Sequence, residues 1–248
     1  MNRGAPGFAR YAMGFSLIEM AMVLLIVGTL LGGVLVAVSQ TTESSRRVAA
    51  RNQLREIETA LYGFAQIEGR LPCPATDISN GDEVRTNVGV CTNANGFVPS
   101  ATLNLNGAVN SDGLLLDPWQ NPFRYSVATT NTPNFADSES IKEFFGMGSQ
   151  LTPTGMLKVC STSACTSQLA TMLPALILSM GADWSSYTSD NEQANAGNRS
   201  TGSTLGPYNI TSGATFVSAE YAEDQFDDQL VWLSPYVLFN KMISARKL

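Results

Sequence analysis

Acids and cysteines carry whatever side-chain chemistry this chain has, because its 248 residues include no histidine. Ser-His-Asp and Cys-His nucleophile systems, and the usual histidine-ligated zinc catalysts, are thereby excluded. Neither a GxSxG elbow nor a phosphate-binding P-loop occurs in the sequence. The acids that lie close together are Asp224, Asp227 and Asp228, and then Asp112 and Asp117 around a glycine-containing turn. Carboxylates in such loops ordinarily face water or accept hydrogen bonds from turn amides, so no catalytic role is assigned to them. Asn110-Ser111-Asp112-Gly113 is only a fragment of a calcium loop, and calcium requires roughly six to eight oxygen ligands.

The four cysteines are Cys73, Cys91, Cys160 and Cys165. An even number suits disulfides in an oxidising compartment, and more than one pairing is open to them. Closeness along the chain, in surroundings rich in Gly, Ser, Thr and Asn, favours Cys73 with Cys91 and Cys160 with Cys165. The first pair would close a loop of about 17 residues, contributing roughly 3 kcal/mol by restricting the unfolded chain. Zinc is the competing use, but the spacings contain no CxxC pair and no histidine is present to complete a site.

A different kind of chemistry is implied by Gly14–Leu31, GFSLIEMAMVLLIVGTLL, where Glu19 is the only charge and none follows until Glu43. A carboxylate at mid-membrane costs on the order of 2 to 3 kcal/mol, so it needs a shallow position or a partner. Residues 20–38 carry no charge, and at about 1.5 Å per helical residue they can cross a hydrocarbon core of roughly 30 Å. A secretory signal peptide usually has an apolar region of about 7 to 15 residues and lacks an internal acid. Residues 1–14 hold Arg3 and Arg10 and no acid, which keeps that end cytoplasmic.

A basic leader, Gly14, then Phe15-Ser16-Leu17-Ile18-Glu19 and an apolar span resemble the type IV pilin superfamily, which includes pilus subunits and the pseudopilins of type II secretion. The resemblance implies that residues 1–14 are a leader removed by prepilin peptidase between Gly14 and Phe15, and that the new amino group of Phe15 is methylated. It also implies that Glu19 pairs with the amine of a neighbouring subunit. Glu19 lies only about 6 Å of helix rise beyond Phe15, so it can wait near the headgroups until such an amine is available; snorkelling to water is the simpler alternative. Many family members carry a proline in the membrane span. This chain has Gly28, Gly32 and Gly33 instead, and Gly28 and Gly32 form a GxxxG spacing suited to close helix packing. Ordinary glycine usage in a membrane helix accounts for them equally well.

Two weaker resemblances follow. Asp117-Pro118-Trp119-Gln120-Asn121-Pro122 is similar to the DPWGNP segment of major pseudopilins, with Gln120 in place of the glycine. Phe226-Asp227-Asp228-Gln229-Leu230-Val231-Trp232-Leu233 resembles the terminal segment of prepilin-like proteins, to which little functional content is attached. Some pseudopilins carry calcium in the head, so calcium is left open here, with no ligand assigned and no other cofactor expected.

The elements that must present these residues are legible in outline. Leu54, Ile57, Leu61 and Phe64 recur at helical spacing, with Arg51, Arg55, Glu56 and Glu58 on other faces, so residues 43–69 continue the membrane helix of 15–42 as an amphipathic helix. Gly69 and Pro72 end it after about 54 residues. Residues 70–248 read as a β-rich head, with short strands predicted at Phe123–Ala128, Met156–Cys160, Leu176–Ser179, Thr215–Ala219 and Leu230–Leu233. A polar exposed loop is predicted near 185–212 and a final helix at Val237–Arg246. The expected fold is α+β, a long helix packed on a mainly antiparallel sheet, and 44% hydrophobic residues supply its core.

A net charge of −6 argues against general nucleic-acid binding. The expected protein is a structural subunit without enzymatic activity, anchored in a bacterial inner membrane with its head in the periplasm. Its expected partners are prepilin peptidase, other pilin or pseudopilin subunits and the inner-membrane assembly machinery. Its size favours a minor or specialised pilin. The alternative is a periplasmic binding domain or enzyme that uses the apolar helix only as a tether.

Overall fold

A computed structural model describes residues 16–87, 89–128, 135–146, 156–184, 189–196, 215–222 and 225–248, without side-chain description at 30–40, 140, 143, 144 and 146. Two compact units emerge, Met1–Ser45 and Arg46–Leu248. Helix α1 spans Leu17–Glu68 and is unbroken over 52 residues. In the first unit its apolar side chains face outward, with Leu17 89% and Leu25 69% exposed. Thr29 satisfies its hydroxyl by donating to the carbonyls of Leu25 and Ile26. Among the described residues no helix is long and apolar enough to cross a membrane; the side chains of 30–40, inside the charge-free run, lie outside that description.

In the second unit α1 buries Ala50, Leu54, Ile57, Leu61 and Ala65, one face of a helix at intervals of three and four. Phe64, predicted for this face, is only half-buried and lies under the Arg70 guanidinium, while Ala65 takes the core position. Gly69 ends the helix at φ 75°, a left-handed conformation that glycine adopts without Cβ strain, and its amide donates to the Ala65 carbonyl.

The head is α+β. Strands β1 (Asn95–Phe97), β2 (Arg124–Val127), β5 (Ala175–Ser179) and β7 (Gln229–Trp232) form an antiparallel sheet in the order β1-β2-β5-β7. A second sheet has the order β4-β3-β6, from β3 (Leu157–Cys160), β4 (Gln168–Leu173) and β6 (Thr215–Val217). Its β3–β6 pair is parallel, so the head is not wholly antiparallel. Alternation along β2 and β5 divides the core. Tyr125, Val127, Ala175 and Ile177 face α1, together with Ile141 of α2 (Ser138–Gly146) and Leu238 and Met242 of α4 (Pro235–Ser244). Leu176 and Leu178 face the second sheet, packing with Leu157, Val159, Phe216 and Met180. Strand β5 is therefore buried on both faces, and its first four residues, Ala175 to Leu178, read as an uninterrupted apolar run.

All five predicted strands are present within a residue or two of their expected bounds, and α4 corresponds to the predicted final helix. The interval 185–212 is not simply an exposed loop: it contains helix α3 (Asp190–Ala196), in which Glu192, Asn195 and Ala196 are buried. Both expected disulfides form, with Cα–Cα distances of 5.3 Å for Cys73–Cys91 and 5.1 Å for Cys160–Cys165, and no cysteine is left to bind zinc.

Candidate functional site

Gly14 and Phe15 lie outside the described residues, as do Asp224 and the side-chain surroundings of Gly32. Glu19 stands in the first turn of α1, and its carboxylate accepts a hydrogen bond of 3.4 Å from the Ser16 amide. Ser16-x-x-Glu19 is thus half of a capping box, a signal present in the sequence, and it gives the acid a partner in its own chain. Gly28 is open to its surroundings, with nothing within 4 Å of where a Cβ would stand.

The acids near Asp112 behave as turn formers. Asn110 accepts from the amides of Asp112 and Leu114, and its own amide donates to Asp112, closing the fragment on itself. Asp117 is buried at the start of a turn whose Trp119 and Asn121 amides both donate to Oδ1, while the Ser179 hydroxyl donates to Oδ2 at 2.6 Å. Burial pushes the Asp117 pKa up, and these three donors hold it back. Gln120 has φ 70°, the left-handed conformation that glycine favours, which gives a backbone reason for the glycine of the DPWGNP pattern. Asn121 then donates to the Gly181 carbonyl at 2.6 Å and so fixes the end of β5.

That strand end carries the one group of carboxylates, among the described residues, with metal-ligand spacing. Asp183 follows β5, Glu192 lies on α3 and Asp227 precedes β7, and one carboxylate oxygen from each lies within 4.8 Å of the others. Asp227 sits over the Gly181 turn so closely that any Cβ at Gly181 would collide with its carboxylate, and it accepts from the Ala182 amide at 2.6 Å. Glycine is required there for that approach as well as for φ 63°. Glu192 is 1% exposed. Neither of its carboxylate oxygens has a donor at hydrogen-bonding geometry, although the Ser189 hydroxyl and the Asp227 amide are near enough to moderate its charge. Asp227 Oδ1 is likewise buried without a donor.

Electrostatics repeat the geometry. Burial raises the pKa of Asp227 to about 7, and Asp183 and Glu192 push it the same way. Burial and Asp183 raise that of Glu192, and burial lifts Asp228 well above the usual carboxylate range. Among the described residues, the charged groups acting on these three are all carboxylates. Asp228 has a better partner than its neighbour: the Asn195 amide donates to it at 2.7 Å.

Asp183, Glu192 and Asp227 have the spacing of ligands to one divalent cation. Two oxygens each about 2.4 Å from one ion stand at most roughly 5 Å apart, as the three carboxylates do, and calcium tolerates irregular oxygen cages. The orphaned oxygens of Glu192 and Asp227 are the structural reason for the assignment. A bound divalent cation would supply charge neutralisation and a cross-link among three segments. The sequence placed Asp227 and Asp228 together but missed Asp183 and Glu192, because no local spacing connects them. Compared with protein-family models, with curated proteins and with solved structures, the chain matches none of them.

Proposed function

We propose that the chain is a prepilin-like structural subunit, cleaved by prepilin peptidase after Gly14 and assembled through α1 into a type IV pilus or a secretion pseudopilus. The carrying observation is the division of α1. One unbroken helix follows the Gly14–Glu19 motif, exposes apolar side chains from Leu17 to Val27, and buries Ala50, Leu54, Ile57, Leu61 and Ala65 in the head. An exposed apolar helix needs lipid or other helices, and a filament of packed stems offers both in turn. The charge-free run of residues 20–38 supports a single membrane crossing before assembly, with the head in the periplasm, where both disulfides can persist. In the filament the Phe15 amine of one subunit would pair with Glu19 of the next, displacing the Ser16 contact.

Expression in cells containing prepilin peptidase tests the reading. The product is expected to begin at Phe15 with an added methyl group, and Gly14→Val should accumulate uncut and stay out of filaments. A wild-type product that still begins at Met1 would refute it and leave the tethered periplasmic domain.

A further inference from the structure

Helix α3 is seven residues long and makes two opposed contacts with the segment Asp227–Asp228. Asn195 is a good contact: its amide donates to Asp228 at 2.7 Å and to the Val217 carbonyl at 2.9 Å, and its oxygen accepts from the Val217 amide at 2.7 Å. One helical turn earlier, Glu192 is a bad one, a buried carboxylate set against those of Asp227 and Asp183. At its outer end Asn191 accepts from the Ser163 amide inside the Cys160–Cys165 loop, and Ala196 reaches the second core. Asn195 thus clamps α3 both to β6 and to Asp228 beside β7, while Glu192 sets a buried carboxylate against those of Asp183 and Asp227.

We propose that a divalent cation of calcium type, bridging Glu192 to Asp183 and Asp227, is the lock that holds α3 against the Gly181 turn and the Asp227 segment. The inference rests on the reading of the three carboxylates as a cation site and is independent of filament assembly. The ion converts the contacts of Glu192 with Asp183 and Asp227 from repulsive to attractive. Because opening α3 removes a ligand, the docked state gains in proportion to ion concentration over the dissociation constant, about 100-fold at 100 times that constant. Only α3 and its clamp should respond, since the contacts among β1, β2, β5 and β7 do not involve the ion.

The test is hydrogen exchange on the full chain in detergent micelles, with calcium or with chelator, paired with terbium emission sensitised by Trp184 beside Asp183. Calcium is expected to slow exchange in Asp190–Ala196 and Thr215–Val217 at least tenfold and to leave β2 unchanged. Glu192→Gln is expected to abolish that response while exchanging no faster than wild type in chelator, because the substitution removes repulsion; a merely structural glutamate would loosen α3 instead. Terbium binding without any change in α3 exchange would overturn the lock and keep the cation site. Absence of both terbium binding and a calcium response would overturn the two together.

Discussion

Glu83 and Glu192 are both glutamates taken largely out of water, and the head treats them in opposite ways. Glu83 is held bidentately by Arg70 at 2.7 and 2.9 Å, accepts from the Cys73 amide at 2.9 Å and has Arg85 at 3.5 Å. Arg85 continues the network by donating to the Gly89 carbonyl inside the Cys73–Cys91 loop and to the Ala136 carbonyl outside it. Glu192 meets carboxylates where Glu83 meets guanidinium groups. Burial penalises both charges, and only the first finds a charged partner of opposite sign. The contrast teaches that burial of a charge does not by itself mark a site; burial without compensation does.

The largest expected effect comes from breaking the compensated side. Glu83→Ala leaves two arginines facing each other and the Cys73 amide without its acceptor, and should cost about 3 kcal/mol in urea unfolding, the low end for a buried pair because Glu83 keeps some exposure. Loss of that much only at Glu83, and no loss in Glu192→Gln, would sustain the contrast; equal losses would erase it.

The disulfides sharpen the same contrast. Replacing both Cys73 and Cys91 with serine should cost about 3 kcal/mol, and replacing Cys160 and Cys165 about 2, since the closed segments span 18 and 5 residues. The second replacement should also weaken calcium binding by loosening α3 through Ser163 and Asn191, whereas the first should leave binding unchanged in a calorimetric titration.

Acid titration separates the two regions by sign. Burial raises the Glu83 pKa, but hydrogen bonds from Arg70 and Cys73 and the charges of Arg70 and Arg85 outweigh it, so the folded value lies below the ordinary 4.5. Its stabilisation is therefore complete above that value and lost as pH falls through the depressed folded pKa. Wild type should lose more stability than Glu83→Gln between about pH 5 and pH 3, measured by thermal melts. The smallest expected effect is at Gln120: Gln120→Gly relieves a left-handed residue and should raise stability by less than about 1 kcal/mol without altering cation binding.

Periodicity and composition carried the sequence reading wherever burial is apolar. Leu54, Ile57 and Leu61 repeat at helical spacing, β5 opens on an apolar run, and cysteines near in sequence are paired in the structure. Helix α3 was not legible because two of its three buried residues, Glu192 and Asn195, are polar, and Asn195 holds it by hydrogen bonds where most helices use apolar contacts. Strand β4 was missed for the opposite reason, being an edge strand whose side chains are largely exposed. The carboxylate site draws one residue from each of three segments, and only the β5–β7 pairing and the docking of α3 bring them together. The FDD segment, to which the sequence attached little functional content, contributes Asp227 to that cluster and Asp228 to its support.

Isothermal calorimetry of the full chain with calcium tests most directly whether Asp183, Glu192 and Asp227 form a cation site. Saturable binding of one ion, lost in Asp227→Asn and in Glu192→Gln but retained in Glu83→Gln, is the expected result. Absence of saturable binding by the wild-type chain, or binding that survives both substitutions at the cluster, would contradict it.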